Sequence, residues 1–149
     1  MDVAIIVDTS SSVSRRNFET VKTFLSNLVS GLPVSYGMAH VSVISYNHRP
    51  YLDWDFRSNN AQNLPALREA IRKLKYKGGG TRTDKAMELA AAKVFKPSGG
   101  DRSYAPNILL VVTDGKTSSR SKSYPVVLKP LKVISYNLVP RALILVLVG

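Results

Sequence analysis

The sequence predicts an α/β fold: a three-layer α/β/α sandwich around a doubly wound, mainly parallel sheet with one antiparallel edge strand. Two observations predict it. Strand-like apolar segments alternate with segments of helical periodicity along the chain, which is typical of parallel sheets covered by helices. Most of the strand-like segments are continuously apolar, as expected of strands buried on both faces. With 149 residues, of which 44% are hydrophobic, the chain is long enough for one domain with a substantial core.

The sequence of residues 3–56 predicts three strands and a helix. Residues 3–7 and 41–46 are apolar or rich in β-branched side chains, as strands are. Between them, residues 15–29 carry apolar side chains at helical spacing, and Ser14 is placed as the N-cap of that helix. A turn then leads into an antiparallel edge strand over residues 51–56.

The second part predicts two helices and two strands. Apolar spacing predicts helices over residues 64–74 and 84–95. Residues 107–112 give the strongest strand signal of the chain, with five apolar residues in succession, and residues 143–148 predict one more buried strand. Between these two strands, residues 118–141 are interrupted by prolines where an α/β fold would place a helix.

Composition excludes several classes of site. The absence of cysteine excludes a disulfide scaffold, a cysteine zinc site and a thiol nucleophile, and the two histidines are too few for a multi-histidine metal site. The apolar residues 142–148 are far fewer than the roughly 18 needed to span a bilayer. The net charge of +11 favours acidic partners. Nucleic acid is the least favoured of these, because no aromatic or groove-binding motif accompanies the charge.

The first candidate site is the D-x-S-x-S pattern of Asp8, Ser10 and Ser12, directly after a predicted buried strand. Alternate side chains at the carboxyl end of a parallel strand converge on the crevice above the sheet. One carboxylate and two hydroxyls are hard oxygen ligands, which suit Mg²⁺ or Mn²⁺. The alternative is a serine-rich turn with a purely structural role.

Two further motifs belong with this pattern. The glycine-rich segment 78–80 leads through Thr81 into a predicted helix, and Asp114 follows the strand over residues 107–112. For the glycine loop, a phosphate cradle is an alternative, but no Lys-Ser/Thr pair follows as in a Walker A motif. Two carboxylates, two serines and a threonine from three neighbouring loops predict an oxygen-only site with open positions.

Taken together, these three motifs resemble the metal-ion-dependent adhesion site of the von Willebrand factor type A (vWA) family, which includes the integrin I domains. The resemblance implies that serine and threonine hydroxyls bind the metal directly and that the two aspartates bind directly or through water. It also implies that Thr83 caps the following helix. The implied metal ligands are Asp8, Ser10, Ser12, Thr81 and Asp114, and the implied supporting residues are Gly80, Thr83 and Gly115.

By this resemblance, residues 1–149 form one domain. Residues 2–118 match the family well, and residues 119–149 are atypical of it. The resemblance also implies a C-terminally truncated domain, because full family members continue with another helix, strand and helix. The start of the chain is similar to the A domains of extracellular matrix proteins such as collagen VI, matrilins and coadhesin-like proteins. A secreted or matrix-bound parent protein is therefore expected.

The function that the resemblance implies is cation-dependent adhesion, in which bound Mg²⁺ or Mn²⁺ grips a Glu or Asp of a matrix or cell-surface protein. No enzyme activity and no membrane span are expected. Phosphotransferases with an aspartate in this position need a second carboxylate two residues later, where this chain has Ser10. The alternative function is metal-independent binding of sulfated glycans or acidic matrix proteins through a basic surface that is formed by Arg57, Arg68, Arg72, Lys73, Lys75, Lys77, Arg82 and Lys85.

Overall fold

The computed structural model describes residues 1–114, 119 and 143–148, the last six by their backbone. Within these residues, five strands form one sheet in the order β3-β2-β1-β4-β5. This confirms the predicted α/β class and the presence of the five predicted strands. The strands are β1 (Asp2–Asp8), β2 (His40–Tyr46), β3 (Pro50–Trp54), β4 (Asn107–Thr113) and β5 (Leu143–Val148).

Strand β1 lies at the centre of the sheet. It pairs in parallel with β2, where Asp8 is opposite Tyr46, and with β4, where Val7 is opposite Val112. Strand β5 continues the parallel sheet beyond β4, and β3 pairs antiparallel with β2 at the other edge. The carboxyl ends of β1, β2 and β4 therefore lie side by side at one edge of the sheet.

Helices cover both faces of the sheet. Helix α1 begins after Ser14, whose hydroxyl accepts a hydrogen bond from the backbone N–H of Asn17 at 3.3 Å, so the predicted N-cap is confirmed. A π-helical turn and a short 3₁₀ helix follow the last α-helix. The helical segments are α1 (Arg15–Ser30), α2 (Asn59–Gln62), α3 (Leu64–Arg72), α4 (Thr83–Leu89), the π turn Ala90–Val94 and the 3₁₀ helix Pro97–Gly99.

Two apolar layers hold the sandwich together. On one face, Ile5 of β1 packs with Phe18 of α1 and Ile71 of α3. On the other face, Ile6 of β1 packs with Met87 of α4 and with the elements around it. Successive residues of β1 thus face opposite layers, which explains why this strand is apolar throughout rather than alternating.

The structure corrects several predicted boundaries. The edge strand predicted over residues 51–56 ends at Trp54, and the helix predicted over residues 64–74 ends at Arg72. The helix predicted over residues 84–95 is α-helical only to Leu89 and then widens into the π turn. Helix α2 was not predicted. The expectations for residues 118–141, other than the exposed turn residue 119, lie outside the described residues.

A buried ion pair closes the edge of the sheet at the start of β1. The guanidinium of Arg102 donates to the Asp2 carboxylate at 2.6 and 2.9 Å, and the Arg102 backbone N–H donates to its other oxygen at 2.9 Å. The same guanidinium donates to the carbonyl of Met38 at 2.7 Å. These bonds tie the loop before β4 to the first residues of β1. None of the helices in the described residues is long and apolar enough to cross a membrane.

Candidate metal-binding site

Asp8 ends β1, and its carboxylate is held from two directions. One oxygen accepts a hydrogen bond from the backbone N–H of Ser10 at 2.8 Å, and the other accepts from the hydroxyl of Thr113 at 2.8 Å. The Asp8 side chain is almost fully buried. The turn after β1 and the end of β4 thus fix the orientation of this carboxylate together.

The two serines of the D-x-S-x-S pattern lie side by side. The hydroxyl oxygens of Ser10 and Ser12 are 2.9 Å apart, within hydrogen-bonding distance. Ser10 is buried, whereas Ser12 is exposed at the surface of the same turn. The turn thus presents a pair of hydroxyls that extends from the interior to solvent.

The glycine-rich loop is bonded directly to this turn. The N–H of Gly78 donates to the carbonyl of Thr9 at 2.8 Å, and the N–H of Ser11 donates to the carbonyl of Gly79 at 3.0 Å. The Ser11 hydroxyl in turn accepts from the N–H of Gly79 at 2.8 Å. Gly78 and Gly79 adopt φ of 67° and 83°, a conformation that favours glycine. These bonds hold the glycine-rich loop, and with it the buried Thr81, at the same edge of the sheet as Ser10.

Thr83 does not cap helix α4, which corrects the prediction from the resemblance. The N-cap position is Arg82, and no side chain caps this helix. The buried Thr83 hydroxyl instead lies 2.7 Å from the hydroxyl of Tyr46, at the end of β2. Thr83 therefore supports the loop by joining α4 to the sheet. Gly80 is exposed between Gly79 and Thr81, and Gly115 lies outside the described residues.

Asp114, directly after β4, is half-buried and contributes to the electrostatics of the site. Burial raises the pKa of Asp8, hydrogen bonds from Ser10 and Thr113 oppose that rise, and the negative charge of Asp114 adds to it. The carboxylates of Asp8 and Asp114, at the ends of β1 and β4, therefore repel each other. A cation between such groups would favour their ionised forms.

The chemistry of the donor set fits a hard divalent cation. Two carboxylates and three hydroxyls offer only oxygen, which Mg²⁺ and Mn²⁺ prefer to nitrogen or sulfur. Across the part of the chain that the structure describes, there is no cluster of three or more His, Cys, Asp or Glu side chains suited to a metal. A metal in this turn would therefore depend on hydroxyls. The residues that would hold it are Asp8, Ser10, Ser12, Thr81 and Asp114.

Two contributors to the site were not assigned from the sequence. The first is Thr113, the residue before Asp114, whose hydroxyl donates to the Asp8 carboxylate. The strand pairing that aligns β4 with β1 brings it there. The second contributor is the ion pair of Arg82 with Asp84, whose two N···O distances are 2.9 and 2.8 Å and whose carboxylate is fully buried. This ion pair fixes the position of Arg82, the residue that follows Thr81.

The family of the chain is shown by its sequence. The family model of the von Willebrand factor type A domain matches residues 2–139. The chain belongs to this family. The predicted membership of the von Willebrand factor type A family is thereby confirmed, and the chain is called the VWA domain below.

Several curated proteins are similar to the VWA domain. von Willebrand factor of Rattus norvegicus is 29% identical over 126 residues, which cover 84% of this chain and 29% of the rat protein. The collagen alpha-4(VI) chain of Mus musculus is 34% identical over 119 residues, covering 78% of this chain and 5% of the mouse protein. The collagen alpha-1(XII) chain of Notophthalmus viridescens is 31% identical over 116 residues, covering 78% and 12%. The chain thus spans less than a third of the length of these relatives.

A solved structure shows the same fold. Proximal thread matrix protein 1 from the mussel byssus superposes on the VWA domain with a TM-score of 0.78 and 17% sequence identity. The superposition covers 97% of this chain and 36% of the mussel chain. The likeness establishes the arrangement of the sheet and helices.

Proposed function

We propose that this VWA domain is a divalent-cation-dependent binding module of a secreted extracellular matrix or cell-surface protein. The observation that carries the proposal is the hydrogen-bonded junction of three loops at the end of β1. Thr113 holds Asp8 at 2.8 Å, and Ser11 joins the glycine loop at 2.8 Å. The relatives, von Willebrand factor and collagen chains, support an extracellular setting.

The role proposed for each residue follows from its environment. The hydrogen bonds to Asp8 hold its carboxylate in one orientation, which lowers the cost of ordering a ligand when a metal binds. The neutral hydroxyls of Ser10, Ser12 and Thr81 add oxygen without adding negative charge. Bound Mg²⁺, which takes about six oxygens, would supply a Lewis-acidic position for a carboxylate of the partner.

Binding rather than catalysis is proposed for this site. The position two residues after Asp8 is Ser10, whose hydroxyl lies 2.9 Å from that of Ser12. A phosphotransferase of the kind considered above needs a carboxylate there to act as acid and base. The proposed partner is a protein that offers a Glu or Asp to the metal.

The proposal is tested by binding of the purified chain to immobilised matrix proteins in 0.3–0.5 M NaCl, first with Mg²⁺ and then with EDTA. We expect binding that EDTA abolishes and that Ser10→Ala abolishes as well. The matched control is Ser103→Ala, an exposed serine in the loop before β4, at the opposite edge of the sheet. Unchanged binding of Ser10→Ala in Mg²⁺, with circular dichroism showing a folded protein, would refute the site.

A second candidate function has its own observation. A groove of about 700 Å³ lies between α1 and α3, and it is lined by Lys22, Arg68 and Arg72 together with Glu19 and Glu69. Within the described residues, Arg68 forms no ion pair with a carboxylate. We infer from this and from the net charge of +11 that the alternative is metal-independent binding of sulfated glycans or other polyanions. Binding that ignores EDTA but weakens steeply with salt would favour this function.

A further inference from the structure

A group of cations and tyrosines lies beside the candidate metal-binding loops; we call it the basic–aromatic rim. Arg49 and Lys77 both lie over the ring of Tyr51, with the Arg49 Cζ 5.0 Å and the Lys77 Nζ 4.4 Å from the ring centroid. Arg15 lies over the ring of Tyr76 in the same way, at 5.2 Å. The rim thus holds three positive side chains on two aromatic rings.

The rim is continuous with the candidate metal-binding site. Lys77 directly precedes Gly78, whose N–H bonds to the carbonyl of Thr9 in the turn after β1. Arg49 belongs to the turn after β2 and exchanges hydrogen bonds with Asn47 at 3.1 and 3.2 Å. These bonds place the rim at the edge of the sheet where β1 and β2 end.

The positive charges of the rim are not neutralised by carboxylates. Among the described residues, Arg15, Arg49 and Lys77 form no ion pair within 4.0 Å. Asp53 interacts with the charge of Lys77 at longer range, and its carboxylate accepts a hydrogen bond from the backbone N–H of Ser45 at 2.7 Å. The rim is therefore a positively charged surface.

The aromatic contacts order these cations while leaving donors available. A ring face attracts a cation but accepts no conventional hydrogen bond from most of its N–H groups. Arg49 donates its Nε–H to the Tyr51 hydroxyl at 2.7 Å, and Lys77 donates one N–H to the Ser45 hydroxyl at 2.7 Å. Within the described residues, the Arg49 Nη groups and two of the three N–H donors of Lys77 form no hydrogen bond with the protein. Ordered donors of this kind bind an anion at a lower entropic cost than mobile surface side chains.

Strand register sets the spacing between the candidate metal-binding site and the basic–aromatic rim. Asp8 of β1 lies opposite Tyr46 of β2, and the neighbouring Ser45 lies opposite Tyr51 of β3. Two strand spacings separate β1 from β3, which is about 10 Å. An extended chain advances about 3.3 Å per residue, and only every second side chain points to the same face, so side chains two or four residues apart bracket this distance.

We propose that the basic–aromatic rim is a second contact for an acidic protein segment, in addition to the metal site. The segment presents one carboxylate to the metal and a second acidic side chain, about two or four residues away on the same face of the extended chain, to Arg49 and Lys77. The inference rests on the proposed function, because the first carboxylate is the one that binds the metal. A protein segment is favoured over a glycan because the two acidic groups of the partner must lie at one fixed spacing to reach both the metal and the pair of cations.

The experiment uses synthetic extended peptides that carry one Glu, with a second Glu placed one to six residues further along. Binding to the chain is measured in Mg²⁺ and in EDTA. In Mg²⁺ we expect the peptides with a spacing of about two or four residues, whose two Glu side chains share a face, to bind about three- to tenfold more tightly than their Gln counterparts. The double variant R49A/K77A loses this preference but keeps the metal-dependent binding of the first Glu.

The control variant is K93A/K96A, which removes the same charge from exposed lysines that form no ion pair within the described residues. It should keep the preference for the second Glu. Metal-dependent binding with no spacing preference would overturn the rim proposal and leave the proposed function standing. Absence of any effect of Mg²⁺ would overturn both. Tight binding of heparin to the rim in EDTA, lost in R49A/K77A, would show a glycan site in its place.

Discussion

The hydroxyl of Thr113 donates to the carboxylate of Asp8 at 2.8 Å across a separation of 105 residues in the chain. Both side chains are buried, and both stand at the end of a central strand. The bond therefore couples the folding of the sheet to the geometry of the candidate metal ligand. A change at Thr113 should alter both stability and metal binding.

Replacing Thr113 by Val removes the donor and leaves a buried carboxylate oxygen with one bond fewer. We expect the free energy of unfolding to fall by about 1–3 kcal/mol and Mg²⁺ binding to weaken. Thr113→Ser keeps the hydroxyl and is the matched control. Urea unfolding and calorimetric Mg²⁺ titration measure the two effects. Equal stability of the Val and Ser variants would contradict the role given to this bond.

Mg²⁺ should stabilise the folded chain without being needed to fold it. The sheet is held by backbone bonds and two apolar layers, so EDTA should leave a cooperative thermal transition. A ligand that binds only the folded state at 100 times its Kd adds about 2.7 kcal/mol. Calorimetry should show a higher Tm in Mg²⁺ for the native chain and no such rise for Ser10→Ala. A rise of the same size in both proteins would place the metal elsewhere.

Gly99 should tolerate no side chain. A Cβ there would lie against the backbone carbonyl oxygens of Lys93 and Val94, the latter at 2.6 Å, and backbone atoms of the π turn cannot move aside freely. We expect Gly99→Ala to reduce stability by about 1–3 kcal/mol. Gly37→Ala is the matched control, because a Cβ at Gly37 meets nothing within 4 Å. Chemical denaturation compares the two, and an equal effect would count against the close approach.

Glu69 provides a pH prediction. Hydrogen bonds from Arg72 and Lys73 lower the pKa of this exposed carboxyl from 4.5 to about 2. Because the pKa is lowered on folding, the stabilising contribution is present above about pH 4.5 and is lost as the pH falls towards 2. NMR titration of the Glu69 carboxyl should show this value at low salt and a higher one in Arg72→Ala. Lys75→Ala is the control, and a titration that Arg72→Ala leaves unchanged would argue against the pairing.

The main strands and α1 could be predicted because their signals are local. The runs over residues 3–7 and 108–112 are continuously apolar, and Ser14 precedes a clear helical period. The short helix α2 carries no such period. The change from α to π helix at Ala90 depends on a bond from the N–H of Phe95 to the Ala90 carbonyl. Apolar spacing does not distinguish that bond from an ordinary helical one.

The site was predictable in its ligand types but not in its supporting bonds. Asp8, Ser10 and Ser12 form a motif within five residues, so their likeness to a family site was visible in the sequence. The bond from Thr113 depends on strand register, which no local pattern contains. The resemblance implied that Thr83 caps the following helix, a role that threonine can play. It bonds Tyr46 instead, since β2 brings a buried hydroxyl to that position.

The central position of β1 has a consequence for biosynthesis. β1 is translated before the other strands of the sheet. One of its two neighbours, β4, is complete only when residue 113 has been translated. Until then, one edge of an apolar strand has no pairing partner, and such edges promote aggregation of nascent and refolding chains. Contacts of such long sequence separation also slow folding. We therefore expect the turn that carries Asp8 to reach its final shape only after β4 has been translated, since Thr113 of that strand orients the Asp8 carboxylate.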